Sequence, residues 1–462
     1  MLFNNPEFRK NTWLELNPNR LVLMPLLLFV VYSLIYIKSN NMQEFHSMSL
    51  AWSMGLFFVI NLLWGAKVAS DSIIQEVNGK TWDFQRLTLL SPLQMSFGKL
   101  FGGTIYNWYG AGITLFMFLL SANASGFTLQ HFYLLLFMIL STILIHSLSM
   151  NLSLLGIRKN RNKEKINAGF YTLIAFGLSF LLLSYLFNVV DKKEFVLSWY
   201  SLELGTLNIL LLSLIFYTAW SVYGLYRSMR FELHYRNGPF AWLSFLLSFS
   251  FVLSGFLSNM KMSGLYNQSL LALALTFSGY ILICLYLIFS ESKYIIDIKF
   301  LLENFLNQNW IKVMENSPLW LVTLILTGII GIVLSILLLG FKFDNFPGLD
   351  LDTFTSTTGL FLYPFVILGF LLRDILIILS CNLAYKQRKG DVLAIIYLFL
   401  IYFLIPMIFI GIKAEAILYI FWPIPSKEAN SMIGLVVILF ELVPMFLLSR
   451  KLYIANASVL EK

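Results

Sequence analysis

Charge is what this sequence has least of. Only 12% of its 462 residues are Asp, Glu, Lys or Arg, about half of what an ordinary soluble domain carries. A water-soluble globular chain is excluded as a starting point. Cysteine is nearly absent as well: Cys284 and Cys381 both lie in apolar runs, so neither a disulfide framework nor a metal site is supported. His46, His131, His146 and His234 are scattered. No His-Glu-x-x-His helix and no Gly-x-Ser-x-Gly elbow occurs, so the zinc and serine hydrolase patterns are missing. Gly177-Leu178-Ser179 falls in an apolar run, where small residues serve helix packing. Neither enzyme activity nor a cofactor is expected. A cleavable leader is not expected either, because the first apolar run starts after Arg20 and ends without a small-residue cleavage pattern.

What is present is apolar length. Hydrophobic residues make up 58% of the chain. Runs of about 20 residues, enough to cross a hydrocarbon layer roughly 30 Å thick, recur along it. About twelve spans are predicted, at 21–37, 48–69, 101–121, 131–155, 167–190, 207–226, 240–259, 269–290, 319–341, 355–383, 391–412 and 432–449. All should be helices, because lipid leaves backbone amides no partner outside the segment except in a closed barrel, whose strands are shorter and alternating. The expected fold class is an all-α integral membrane protein with both termini cytoplasmic. Residues 1–19 form an interfacial helix, 20–230 a first bundle with a helical cytoplasmic loop at 70–100, and 231–462 a second bundle with an interfacial segment at 291–318.

The basic residues set the orientation. With the termini inside, the outer loops hold only Lys38, Lys192, Lys193, Lys261, Lys342, Lys413 and Lys427, while Lys67 and Arg373 lie within spans. The remaining Lys and Arg fall inside, a bias of roughly three to one. The inner loops include "RKNRNKEK" (Arg158 to Lys165), "RSMRFELHYR" (Arg227 to Arg236) and "KQRK" (Lys386 to Lys389). These are topology signals, so the net charge of +8 does not imply nucleic acid. Trp108, Tyr109, Trp199, Tyr200 and Trp422 near span ends fit interfacial aromatic belts. The short apolar stretch Ala416 to Trp422 is a candidate re-entrant piece.

Two segments are amphipathic. "PEFRKNTWLEL" (Pro6 to Leu16) gathers Phe8, Trp13 and Leu16 on one broad helical face and should lie along the inner surface before the first span. "ESKYIIDIKFLLENFLNQNWIKVMENSP" (Glu291 to Pro318) takes the same place before the ninth.

The loop "IIQEVNGKTWDFQRLTLLSPLQMSFGKL" (Ile73 to Leu100) contains Gly79-Lys80-Thr81, the tail of a phosphate-binding loop. A Walker A loop also needs a glycine five positions earlier, where Ile74 stands; before Gly98-Lys99 that position is Leu93. The segment instead carries helix punctuation. Gly79 should stop one helix and Thr81 cap the next, with Asp83 in its first turn. Ser91-Pro92-Leu93-Gln94 spells a capping box with proline at the first helical position. Lys99 should snorkel at the inner edge of the third span.

In the order Ile74-x-Glu76, Gly79 and Thr81, Leu89-Leu90-Ser91-Pro92, Gly98-Lys99-Leu100, this loop resembles the one between the second and third helices of type-2 ABC exporter permeases, the membrane subunits of ATP-driven export systems. Pro6 to Leu16 is similar to that family's elbow helix. The resemblance covers the chain as far as the third span. It implies that the glutamate-bearing segment is a coupling helix docked on a separate ATPase subunit, that the chain exports a substrate by alternating access, and that the membrane is a bacterial cytoplasmic one. A second permease subunit, or a second copy of the chain, is a further partner the resemblance leaves open. These permeases have about six spans, so the chain is either a fusion of two halves or one half with added spans. No second copy of the loop appears; Tyr385 to Asp391, after the tenth span, is far shorter.

Independently of the family, a coupling element must offer charge and an aromatic knob to its partner. Glu76, Asp83 and Arg86 can supply the charge, and Trp82 and Phe84 the knobs. The plainer alternative is that both aromatics anchor a surface helix in lipid headgroups. Within spans, ionisable residues are costly and worth naming: Arg373 and Asp374 in the tenth, Glu441 in the twelfth, His146 in the fourth and Lys67 near the inner end of the second. Adjacent on a helix, Arg373 and Asp374 point about 100° apart and should face different partners. They are read mainly as interhelical contacts, and His146 as a hydrogen-bonded core histidine. An ion-coupled transporter or lipid flippase working through Arg373, Asp374 and Glu441 is the competing class, and a membrane scaffold a third.

Overall fold

A computed structural model describes the chain apart from residues 1–3, 89, 160–168, 192–195, 201, 236, 258–264, 292, 340–360, 386, 415–417, 419, 423–430 and 461–462. Leu89, most of the basic loop after Arg158, Arg236, Lys386, Lys192, Lys193, Lys261, Lys342, Lys427, the start of the tenth expected span and parts of Ala416 to Trp422 lie outside the described residues.

The chain is an all-α, membrane-integral protein. Among the described residues, nine helical runs are long and apolar enough to cross a bilayer: Pro18–Lys38, Met42–Asn78, Ile105–Ala124, Leu129–Arg158, Thr206–Glu232, Ser269–Ser290, Leu319–Leu338, Tyr363–Ala384 and Lys389–Gly411. The segments expected at 167–190, 240–259 and 432–449 are helices too, Gly169–Asp191, Phe240–Leu257 and Ser431–Leu460. The described apolar parts of the first two are only Thr172–Leu182 and Phe240–Gly255, and Glu441, Arg450 and Lys451 interrupt the third.

The chain divides into two compact units, Met1–Leu197 with Glu203–Asn237, and Ser198–Leu202 with Gly238–Lys462. The first begins with α1 (Pro6–Glu15), α2 (Pro18–Lys38) and α3 (Met42–Phe57). The π-turn Phe58–Trp64 then leads into α4 (Gly65–Asn78). Next come α5 (Trp82–Arg86), α6 (Pro92–Phe97), a second π-turn at Gly98–Gly102, α7 (Ile105–Ala124), α8 (Leu129–Lys159), α9 (Gly169–Asp191) and α10 (Thr206–Glu232). Three of these helices start by one device. Asn5-Pro6, Asn17-Pro18 and Ser91-Pro92 each pair a capping side chain with a proline whose fixed φ suits the first turn and whose missing N–H costs nothing there. Apolar packing fills the bundle, with Ile73, Met95, Leu154 and Met229 in one cluster and Phe57, Leu62, Ala111 and Ile145 in another. Short hydroxyl pairs cross between helices, as lipid-embedded bundles favour: Tyr32 with Ser53, Ser70 with Ser153, and Ser147 with Ser221.

A two-stranded hairpin, β1 (Val196–Trp199) and β2 (Leu202–Gly205), precedes α10. The second unit holds α11 (Phe240–Leu257), α12 (Leu265–Ser290), α13 (Ile295–Leu306), α14 (Trp310–Asn316), α15 (Leu319–Leu338), α16 (Tyr363–Ala384), α17 (Gln387–Phe399), α18 (Ile405–Gly411) and α19 (Ser431–Leu460). The Glu291 carboxylate caps α15, accepting from the Leu319 N–H at 3.0 Å. The turn between α16 and α17 is tight. Gly390 sits so close that a Cβ there would approach the Asn382 Cα to 2.7 Å, and buried Lys293 donates to Asp391 at 3.0 Å beside it.

Candidate functional site

The loop resembling a coupling segment is built on a buried ionic clasp. Asn5 accepts from the Glu7 N–H and donates its own amide to the Gln94 carbonyl at 2.6 Å, which pins the start of α1 against α6. Glu7 then points inward, 3% exposed, with Lys99 Nζ at 3.0 Å and Lys10 Nζ at 3.2 Å. Lys99 also donates to Glu76. Glu76 accepts further from Lys10 at 3.3 Å and from Gln85 Nε2 of α5 at 2.6 Å. Two carboxylates and two ammonium groups alternate, so the clasp is neutral as a whole. Neutrality is what makes burial tolerable, since desolvating an unpaired charge costs several kcal/mol. Trp82 closes the cluster with its ring 5.3 Å from Lys99 Nζ, a cation–π contact.

Glycines make this approach possible. A Cβ at Gly98 would come within 2.7 Å of Glu7 Cβ, and one at Gly102 within 3.0 Å of Asn11 Cβ. The pair forms a small-xxx-small stripe on which α1 lies. Gly98→Val is expected to lift α1 off and cost about 1–3 kcal/mol by overpacking, seen as a lower melting temperature in detergent.

Several expectations need correction. Trp82 is not a knob: at 4% exposure it is packed with Ile73, Met95 and Met229. Lys99 does not snorkel but is fully enclosed, because two glutamates hold it more favourably than headgroups could. Glu76 is no free charge; it is the centre of the clasp. Thr81 does not cap α5. Its hydroxyl and its N–H both turn back to the Glu76 carbonyl, sealing the end of α4. Gly79 does end α4, but the left-handed residue there is Lys80, at φ 58°. The start of α1 buries Asn5 and Glu7 against its neighbours and leaves Trp13 81% exposed, free to meet the membrane surface. The Ser91 and Gln94 capping box is present in full, with Pro92 at its first helical position.

Arg86, next to Gln85, anchors the C-terminal end of α5. It donates to the Glu232 carbonyl at 2.8 Å and meets His234 and Asp83. Arg158 of α8 holds the Glu232 carboxylate at 2.9 Å. At α5 and the residue after it, the side chains turned outward are Asp83, Phe84 and Leu87, with Phe84 75% and Leu87 83% exposed. Sequence reasoning placed Lys10 only as a charge off the apolar face of Pro6 to Leu16 and missed Glu7, Gln85 and Leu87; the Glu7 and Lys10 spacing on one helix face and the Gly98-x-x-x-Gly102 stripe were the available signals.

The clasp has an acid limit. Burial of the Glu7 carboxyl works against ionisation, but the ammonium groups of Lys99 and Lys10 outweigh it and hold the group below the ordinary glutamate value of 4.5. A depressed folded-state pKa contributes stability that is complete above 4.5 and lost as pH falls through the lower folded value. Melting temperature measured against pH should therefore fall off below 4.5, and Glu7→Gln should remove that part of the decline.

In the second unit the intramembrane ionisable residues form one group. Arg373 reaches its neighbour Asp374 through Nε and Nη2, each 3.1 Å from Oδ1, and Glu441 of α19 through Nη1 at 2.8 Å. Arg373 and Asp374 do have separate partners, Glu441 and Tyr402, and the long guanidinium arm also folds across the 100° between them. Tyr402 donates to Asp374 Oδ2 at 2.7 Å, and Phe370 packs under the guanidinium at 4.5 Å. His146 is a hydrogen-bonded core histidine, 2.9 Å from the Asn61 carbonyl, and Lys67 is exposed on α4. Among the described residues no group of His, Cys, Asp and Glu could hold a metal ion. No protein-family model, curated protein or solved structure matches the chain.

Proposed function

We propose that the chain is the membrane-spanning permease subunit of an ABC exporter. In this reading about twelve spans cross a bacterial cytoplasmic membrane with both termini inside, and a separate ATPase subunit hydrolyses ATP. A second permease subunit or a second copy of this chain completes the pathway.

The observation that carries the reading is the mounting of α5. Its outer face offers an acid, Asp83, beside two exposed apolar residues, Phe84 and Leu87. Buried Trp82 seats its start, and its C-terminal end is tied through Gln85 to Glu76 and through Arg86 to the Glu232 carbonyl. A short helix held this way transmits displacement to α1, α4, the third span and α10 together. An exposed aromatic on a rigid mount is also what interface hot spots require. Closure of the ATPase on ATP would push α5, and the attached spans would re-pack between inward-facing and outward-facing arrangements.

The test uses the chain with the ATPase encoded beside it. Phe84→Asp with Leu87→Asp should abolish stimulation of that ATPase while membrane insertion and melting temperature stay unchanged. Unaltered stimulation would remove α5 from the coupling path.

A further inference from the structure

The second span of the first unit contains an assembly that the coupling reading does not use. At the π-turn Phe58–Trp64 the backbone bond lengthens, with the Gly65 N–H reaching the Ile60 carbonyl five residues back. Such widened turns leave carbonyls open to outside donors. Three consecutive ones are taken by three different helices: Ile60 by Asn107 Nδ2 of α7 at 2.7 Å, Asn61 by His146 Nε2 of α8 at 2.9 Å, and Leu62 by Ser179 Oγ of α9 at 3.2 Å. Gly65 is needed for this, since a Cβ there would overlap the His146 ring.

Asn107 and His146, with Asn61 and the neighbouring Trp108, also carry polar atoms with no hydrogen bond inside the protein: Asn61 Oδ1 and Nδ2, Asn107 Oδ1, His146 Nδ1 and Trp108 Nε1. Asn61 and His146 are fully buried and Asn107 nearly so. The Trp108 and His146 rings meet edge to face, 6.1 Å between centroids. Native interiors leave few such atoms unpaired, and five around one turn form a set with a definite chemistry. Because Nε2 donates to the Asn61 carbonyl, Nδ1 of the neutral ring is an acceptor. The set thus holds three acceptors and two donors, with no formal charge. A cation would leave the donors unmet and an anion the acceptors. Water, which donates two bonds and accepts two, matches both, and it is the smallest ligand a buried polar set of this kind takes.

We infer that the joint is a hydration site, in which bound water is fixed by Asn61, Asn107, Trp108 and His146 in the middle of the second span. Water-mediated bonds give the π-turn a pivot between α3 and α4, since they change partners without breaking the fold. The hydration does not depend on the exporter reading.

Solid-state NMR on the full chain in lipid bilayers tests it, with ¹⁵N-labelled histidine and His46, His131 and His234 replaced by Gln. The expected result is a protonated Nε2, an Nδ1 shift typical of a hydrogen-bonded acceptor, and a cross-peak from water protons to Nδ1. Asn61→Leu should weaken that cross-peak while the Nε2 signal keeps its place. A cross-peak from Asn61 or Asn107 amide protons instead of water, or an unbonded Nδ1, overturns the inference. If the triple substitution prevents folding, the four native histidines are resolved together and assigned by single substitutions.

Discussion

Lys99→Met is expected to unfasten α1 from the first unit. The substitution keeps the length and much of the volume of the side chain but leaves Glu7 and Glu76 facing each other with only Lys10 between them. Removing one partner from a buried pair costs about 3–5 kcal/mol, because the remaining charge stays desolvated. Lys99 is 1% exposed and Glu7 3%, so little of that cost can be relieved by water. The melting temperature in detergent should drop sharply. Glu7→Gln added to Lys99→Met restores charge balance and should recover a large part of the loss. If the single variant melts with the wild type, the clasp contributes nothing to the fold and α1 is held by the glycine stripe and the Asn5 bond to Gln94.

Arg373→Met should have an effect of similar size in the second unit. The guanidinium serves Asp374 and Glu441 at once and packs against Phe370 and Tyr402. Its loss strands two carboxylates in mid-helix, at about 3–5 kcal/mol. Lysine is no substitute, since one ammonium cannot reproduce the planar fork that holds two acceptors in different directions. The expected order of melting temperatures is wild type, then Arg373→Lys, then Arg373→Met. Combining Arg373→Met with Asp374→Asn and Glu441→Gln should raise stability above that of Arg373→Met alone. A triple variant no better than the single would mean that packing, and not charge pairing, sets the role of Arg373.

The membrane-integral, all-α fold was legible because apolar length is a one-dimensional property. So was the Ser91-Pro92 cap, a local pattern whose partners lie three residues apart. The clasp was not, because the whole of the first two spans lies between Glu7 and Lys99, and nothing local marks them as partners. Trp82 misled for a related reason: an aromatic residue on a short polar helix suits a docking knob and a core plug equally, and only the position of α10 decides. Asp83, Phe84 and Leu87 face out because Gln85 and Arg86 are tied inward. The π-turn at Phe58–Trp64 left no signal in composition; Asn61, Gly65, Asn107 and His146 become one joint only when their helices pack.

The central claim is that the exposed face of α5 touches an ATPase, and a crosslink tests it most directly. A photoreactive phenylalanine analogue at position 84 should join the chain to the co-expressed ATPase, and the yield should change between nucleotide-free and ATP-bound preparations. The same probe at Trp13, exposed on α1, serves as the control and should give no ATPase product. Labelling of the ATPase from neither position, or from position 13 alone, would contradict the account.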